Sequence, residues 1–127
     1  MRLLHVGITA SSEDRADEFY VDLLGLQKDE PKVLAAEICR ALFGVDCDLT
    51  IINYLGQSAH FEVFVCDAST TPVGAIAHAC IEVEDLSEFL EKCNRLDIEV
   101  IRVPKGNSLI TFIKDADGNR FEIKQQP

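Results

Sequence analysis

The chain contains one pattern twice. EFYVDLLGL at 18–26 is matched by EFLEKCNRL at 88–96, and each carries apolar residues at helical spacing: Phe19, Tyr20 and Leu23, then Phe89, Leu90 and Cys93. Before each lies an alternating segment, LLHVGIT and AHACIEV, of the kind that forms a half-buried strand. After each come two further strand candidates joined by a turn, LTIINYLGQSAHFEVFV and LITFIKDADGNRFEIK. The spacing from Leu49 to Glu62 equals that from Leu109 to Glu122. Self-similarity of this kind restricts the fold to two copies of one supersecondary unit. Short strands, LQKD in the first copy and IEVIRV in the second, complete a β-α-β-β-β order in each.

These elements predict an α+β fold: two βαβββ modules forming a curved mixed sheet with helices on the convex face. At 127 residues the chain has the mass of a single domain. Module 1 is expected over about 1–67 and module 2 over about 75–126, with a linker at 72–74. Ser11 and Ser12 supply a start for the first helix, Asp85 with Glu88 a capping box for the second, and Gly25 a stop for the first. The modules differ by an insertion around DEPKVLAAEICRALFGVD. Pro31 suits a first helical position, Leu34, Ile38 and Leu42 recur at i+4, and Gly44 can end the turn. A helical insertion over about 30–44 is the expectation.

The alternation also sorts side chains by face. In HFEVFVC, Phe61, Val63 and Val65 share one face, and His60, Glu62, Phe64 and Cys66 the other. In RFEIK, Phe121 and Ile123 oppose Arg120, Glu122 and Lys124. If the apolar faces pack on the helices, the opposite faces carry His5, Glu62, His78 and Glu122. Taken singly, a strand histidine is most often a hydrogen-bonded structural residue and a strand glutamate a solvated one. Four of them at repeat-equivalent positions are a mixed nitrogen and oxygen ligand set. Such a set suits one divalent first-row ion (Zn, Ni, Co, Mn or Fe) with room for water, and not thiolate chemistry. An open site of this type can polarise a carbonyl and stabilise an enediolate oxygen, with a glutamate beside it as a base.

Other residues of the same faces have two readings each. His60 is a further ligand, an acid/base or a rim residue. Cys66 and Cys80 line the cavity or donate a soft ligand. Phe64 is a substrate wall or core. Arg120 and Lys124 hold an anionic substrate or are solvated edge charge, and Arg102 and Lys105, in IRVPKGN, guard the mouth or are solvated loop charges. The EVED run at 82–85 reads as a strand end and helix cap.

Composition sets limits on partners. A formal net charge of -10 argues against nucleic acid and against anionic membrane. No apolar run reaches spanning length, and MRLLHVGITA is too short for a signal peptide. Five cysteines, an odd number with no CxxC pair, fit reduced thiols and a cytoplasmic location.

RLLHVGITASSEDRADEFYVDLLGL and DADGNRFEIK resemble the vicinal-oxygen-chelate superfamily, also called the glyoxalase/bleomycin-resistance/dioxygenase superfamily. The resemblance covers essentially the whole chain and implies a single domain of that type. It implies paired βαβββ modules, homodimers, a small-molecule substrate and a divalent metal in a cup-shaped sheet. It implies metal ligands at His5, Glu62, His78 and Glu122, as in glyoxalase I enzymes, with the base role on Glu122 and Glu62 as its counterpart. The activity implied is a metal-dependent lyase or isomerase. Alternatives are an acyl-CoA epimerase-like isomerase and a non-catalytic binding protein of the bleomycin-resistance kind. Members with two His and one Glu, the extradiol dioxygenases and fosfomycin-resistance enzymes, match less well because Glu62 is extra. Thr9 and Cys66 stand where similar glyoxalases place an arginine and an asparagine for glutathione.

Overall fold

A serine hydroxyl starts the first helix. In the computed structural model, which describes every residue except 68, 70, 72, 73 and 117, Ser12 Oγ accepts the Arg15 N–H at 3.2 Å. The linker expected at 72–74 and position 117 of the DADGN turn therefore lie, in whole or part, outside the described residues. Helix α1 (Glu13–Asp17) continues as a π-helical turn over Glu18–Leu23. It ends where Gly25 takes φ 70 and donates its N–H to Val21 O at 2.9 Å. A positive φ costs glycine least, since it has no Cβ to clash, which is why the expected stop works. The second pattern copy behaves the same way. Asp85 Oδ1 accepts the Glu88 N–H at 2.9 Å at the start of α3 (Leu86–Arg95).

The described residues form an α+β fold with nine strands: β1 (Arg2–Ala10), β2 (Gln27–Lys28), β3 (Lys32–Leu34), β4 (Leu49–Leu55), β5 (His60–Val65), β6 (His78–Val83), β7 (Glu99–Lys105), β8 (Ser108–Lys114) and β9 (Arg120–Gln125). The chain divides into two units, His5–Ala77 in one, and Met1–Leu4 with His78–Pro127 in the other.

In the first unit the strand order is β2-β4-β5-β1, with β3 also on β4. β5 runs parallel to β1 and antiparallel to β4. Ala16 and Tyr20 of the first helical segment pack with Ile52, Tyr54 and Val63, and Ile8, Phe61 and Val65 adjoin them. Each fully buried large side chain contributes about 1.5–3 kcal/mol. The apolar face predicted for β1 and β5 is thus the helix-packed face, leaving His5 and Glu62 on the other.

The insertion folds differently from the expectation. Lys32–Leu34 forms β3 against β4, and helix α2 occupies only Ala36–Phe43. Pro31 precedes a strand, because Leu34 is buried by pairing with Leu49 and is not on a helical face. The helix begins where the Asp48 carboxylate accepts the Ala36 N–H at 2.8 Å, and stops at Gly44 with φ 71, as expected. α2 covers part of the His-bearing side of β5: Phe43 meets Phe64 edge to face at 5.4 Å.

In the second unit the order is β6-β9-β8-β7, with β6 parallel to β9 and the other pairs antiparallel. α3 lies over a cleft of about 220 Å³ lined by Phe89, Cys93, Leu96, Ile113 and Phe121. Glu82 is buried and pairs with Arg2 at 3.1 Å, so it is more than the strand-end charge the sequence suggested. Among the described residues no helix is long and apolar enough to cross a membrane.

A polar network beneath the first helix gives a measurable consequence. Tyr54 Oη donates to Asp17 Oδ1 at 2.8 Å, and Lys28 Nζ to Asp17 Oδ2 at 2.9 Å. The Lys28 hydrogen bond, with help from Tyr54 and against the opposing effect of burial, holds the Asp17 carboxyl below its ordinary value of 3.8. A depressed folded value stabilises fully above the ordinary carboxylate range and loses that contribution as pH falls through the folded value. Asp17→Asn is expected to destabilise the fold by about 1 kcal/mol at neutral pH, the scale of one such bond. Urea unfolding should show the gap to the parent closing in strong acid. A gap independent of pH would mean that the Asp17 charge is not its source.

Candidate metal centre

Each unit brings one histidine and one glutamate together by the same register. In the first, Gly7 of β1 pairs with Glu62 of β5, and His5 is two residues before Gly7 on the same strand face. In the second, Cys80 of β6 pairs with Glu122 of β9, and His78 is two residues before Cys80. Parallel pairing with this offset sets the imidazole of each strand beside the carboxylate of its neighbour. His5 Nε2 lies 3.7 Å from Glu62 Oε1, and His78 Nε2 lies 3.9 Å from Glu122 Oε2. Both imidazoles are buried, whereas the two carboxylates keep side-chain exposures of 20% and 13%.

These distances permit shared coordination. Nitrogen and carboxylate oxygen bind a first-row ion at about 2.0–2.2 Å, so two ligands of one ion stand at most about 4.3 Å apart. Both pairs fall inside that limit. The residue types are the neutral-nitrogen and hard-oxygen donors that such ions take.

The surroundings of the two pairs differ. In the first unit, the His60 ring lies 5.0 Å from that of His5, tilted by 55°. Its Nε2 is 2.7 Å from Asn53 Oδ1, and Asn53 is the β4 residue opposite Glu62. In the second unit, Phe112 is the β8 residue opposite Glu122, and its ring lies 5.1 Å from His78. Lys124 Nζ is 3.7 Å from Glu122 Oε1 and half exposed. Arg120 is half-buried on the same side of β9.

The remaining predicted site residues are placed as follows. Phe64 is 1% exposed and covered by Phe43, and Cys80 is fully buried beside Glu122. Cys66 is half-buried past the end of β5, and Thr9 is exposed on β1. Arg102 and Lys105 are exposed on β7. All five cysteines are free thiols. Burial pushes the thiols of Cys39 and Cys93 up, which suits small hydrophobes and not nucleophiles. Asn53 was not singled out from the sequence. Its signal is that it alone brings a side-chain amide into the otherwise largely apolar strand LTIINYL.

Comparison with known proteins adds three findings. Residues 2–123 match the family model described as Glyoxalase/Bleomycin resistance protein/Dioxygenase superfamily. A lactoylglutathione lyase of Neisseria meningitidis is 26% identical, over 99% of this chain and 91% of its own length. Among solved structures, a hypothetical protein from Bacillus halodurans C-125 superposes with a TM-score of 0.70 at 18% identity, covering 99% of this chain and 94% of its own. The methylmalonyl-CoA epimerase from Mycobacterium tuberculosis gives 0.68 at 22% identity, covering 98% and 88%. At these identities the structural likeness shows the fold.

Proposed function

Because the chain belongs to the glyoxalase/bleomycin resistance protein/dioxygenase superfamily, we propose that His5, Glu62, His78 and Glu122 together hold one divalent metal ion of a lyase or isomerase. The observation that carries this reading is the repeat of one His–Glu pair, in the same strand register, in each unit. The name of the Neisseria relative supports a lyase of the glyoxalase I type. Zn, Ni, Co, Mn and Fe all suit the donor set. A divalent ion held there supplies a Lewis acid that polarises a substrate carbonyl and acidifies the neighbouring C–H.

The protein's own groups do the rest. A carboxylate oxygen of Glu122 takes the acidified proton and returns it to the adjacent carbon, while Glu62 is its counterpart on the other face of the substrate. The buried rings of His5 and His78 keep water from the inner ends of the pairs. Arg120 and Lys124, on the same strand face as Glu122, seat an anionic group of the substrate, and His60 contacts it from the other pair. Cys66, half-buried past the end of β5, contributes wall, while Phe64 and Cys80 are buried core. With Thr9 and Cys66 at the places where similar glyoxalases hold glutathione, the substrate is a small carbonyl compound anchored by those cations.

The protein works as a cytoplasmic homodimer. Free thiols support the compartment, and the family resemblance supports the dimer. Light scattering at micromolar concentration should therefore give about twice the 14.1 kDa chain mass; a monomer alone rules the dimer out. The functional reading itself is tested by elemental analysis of the purified protein, with one divalent ion per chain expected. A protein that takes up no first-row ion, even when refilled after chelation, is a binder and not a metal-dependent lyase.

A further inference from the structure

The two His–Glu pairs occupy equivalent places, yet different residues hold their histidines. Asn53 and Phe112 are register equivalents, each the antiparallel partner of the glutamate of its unit. Phe112 itself supplies the ring beside His78, at 5.1 Å and 59°. Asn53 is too short to do this. The ring beside His5 comes instead from His60, at 5.0 Å and 55°, and Asn53 holds that ring by its 2.7 Å contact to Nε2. Arg120 stands at the place equivalent to His60. An apolar wall in one unit is thus replaced by a polar relay in the other, with nearly the same ring distance and tilt.

We propose that Asn53 and His60 are positioning residues for His5. The Asn53 carbonyl oxygen is only an acceptor, so neutral His60 carries its proton on Nε2. Rotation of the His60 ring about its last torsion would break a bond of 2.7 Å between half-buried partners. The ring is therefore pinned, and its face restricts the imidazole plane of His5. Groups that orient a metal-ligating histidine typically govern about 10–100-fold in metal affinity. The role in affinity rests on the metal reading above; the orienting contact does not.

The experiment combines imidazole nitrogen NMR on the metal-free protein with Co(II) titration, in the parent, Asn53→Leu, Asn53→Asp, His60→Phe and Phe112→Leu. The parent should show His60 protonated on Nε2. Asn53→Leu should mix its tautomers, move the His5 nitrogen resonances, weaken Co(II) binding by roughly tenfold or more and alter the cobalt absorption spectrum. His60→Phe restores a ring without the hydrogen bond and should recover part of the affinity, as Phe112 does for His78. Asn53→Asp, which keeps an acceptor oxygen at the same reach, should restore the Nε2 proton. Phe112→Leu should move the His78 resonances most. Unchanged His5 resonances and unchanged Co(II) affinity in Asn53→Leu overturn the proposal. If Asn53→Leu does not fold, the His5 resonances of His60→Ala carry the same decision. If the parent binds no Co(II), the metal reading fails, and the NMR comparison alone decides the positioning role.

Discussion

Glu122→Gln, loaded with metal, is expected to keep most of its ion and lose turnover by roughly a hundredfold or more, the contribution of a general base. The amide preserves the shape of the side chain and one oxygen donor, but cannot accept the proton. The half-buried position of Glu122, beside His78 and Lys124, gives the substituted side chain the same packing partners. A small panel of anionic α-carbonyl compounds and acyl-CoA thioesters supplies the probes. Reaction in deuterated water reports on the same step. The parent should place deuterium at the abstracted position where solvent exchanges with the carboxyl, and Glu122→Gln should not. Near-parent turnover in the variant would leave Glu122 as a ligand alone and move the base to Glu62 or His60.

The second large effect is on metal itself. His78→Ala removes a nitrogen donor from a buried strand position and should lower affinity by more than the roughly 10–100-fold typical of groups outside the ligand set. After dialysis the variant should hold well under one ion per chain, with thermal melting used to check that it is folded. His5→Ala should behave alike, because its place in the first unit repeats that of His78. Stoichiometric metal in His78→Ala, held as tightly as in the parent, would remove that histidine from the site. Two ions per parent chain would mean that the pairs act separately, one ion to each His–Glu pair.

Much of this was legible from the order of residues. A strand alternates its side chains with a period of two, so LLHVGIT and HFEVFV determine which residues share a face without reference to anything distant. The helix ends were legible for the same reason. Ser12, Asp85, Gly25 and Gly44 act through bonds and torsions within a few residues of themselves. The internal repeat extended that local reading to pairing, since a register present in one copy is expected in the other.

What sequence alone did not decide depends on partners far along the chain. Leu34 belongs to β3 because Leu49 pairs with it, although its i+4 spacing to Ile38 also suits a helix. Phe64 is core and not open wall because Phe43 of α2 covers it. Glu82 is buried and pairs with Arg2, a contact between residues far apart in the chain. Asn53 gains meaning only once β4 is registered against β5, which brings its amide to His60. By itself the sequence determined the fold class and the strand faces, since these follow from local periodicity and repetition. Only the tertiary structure decided how each histidine is held, because that depends on which residue the neighbouring strand sets beside it.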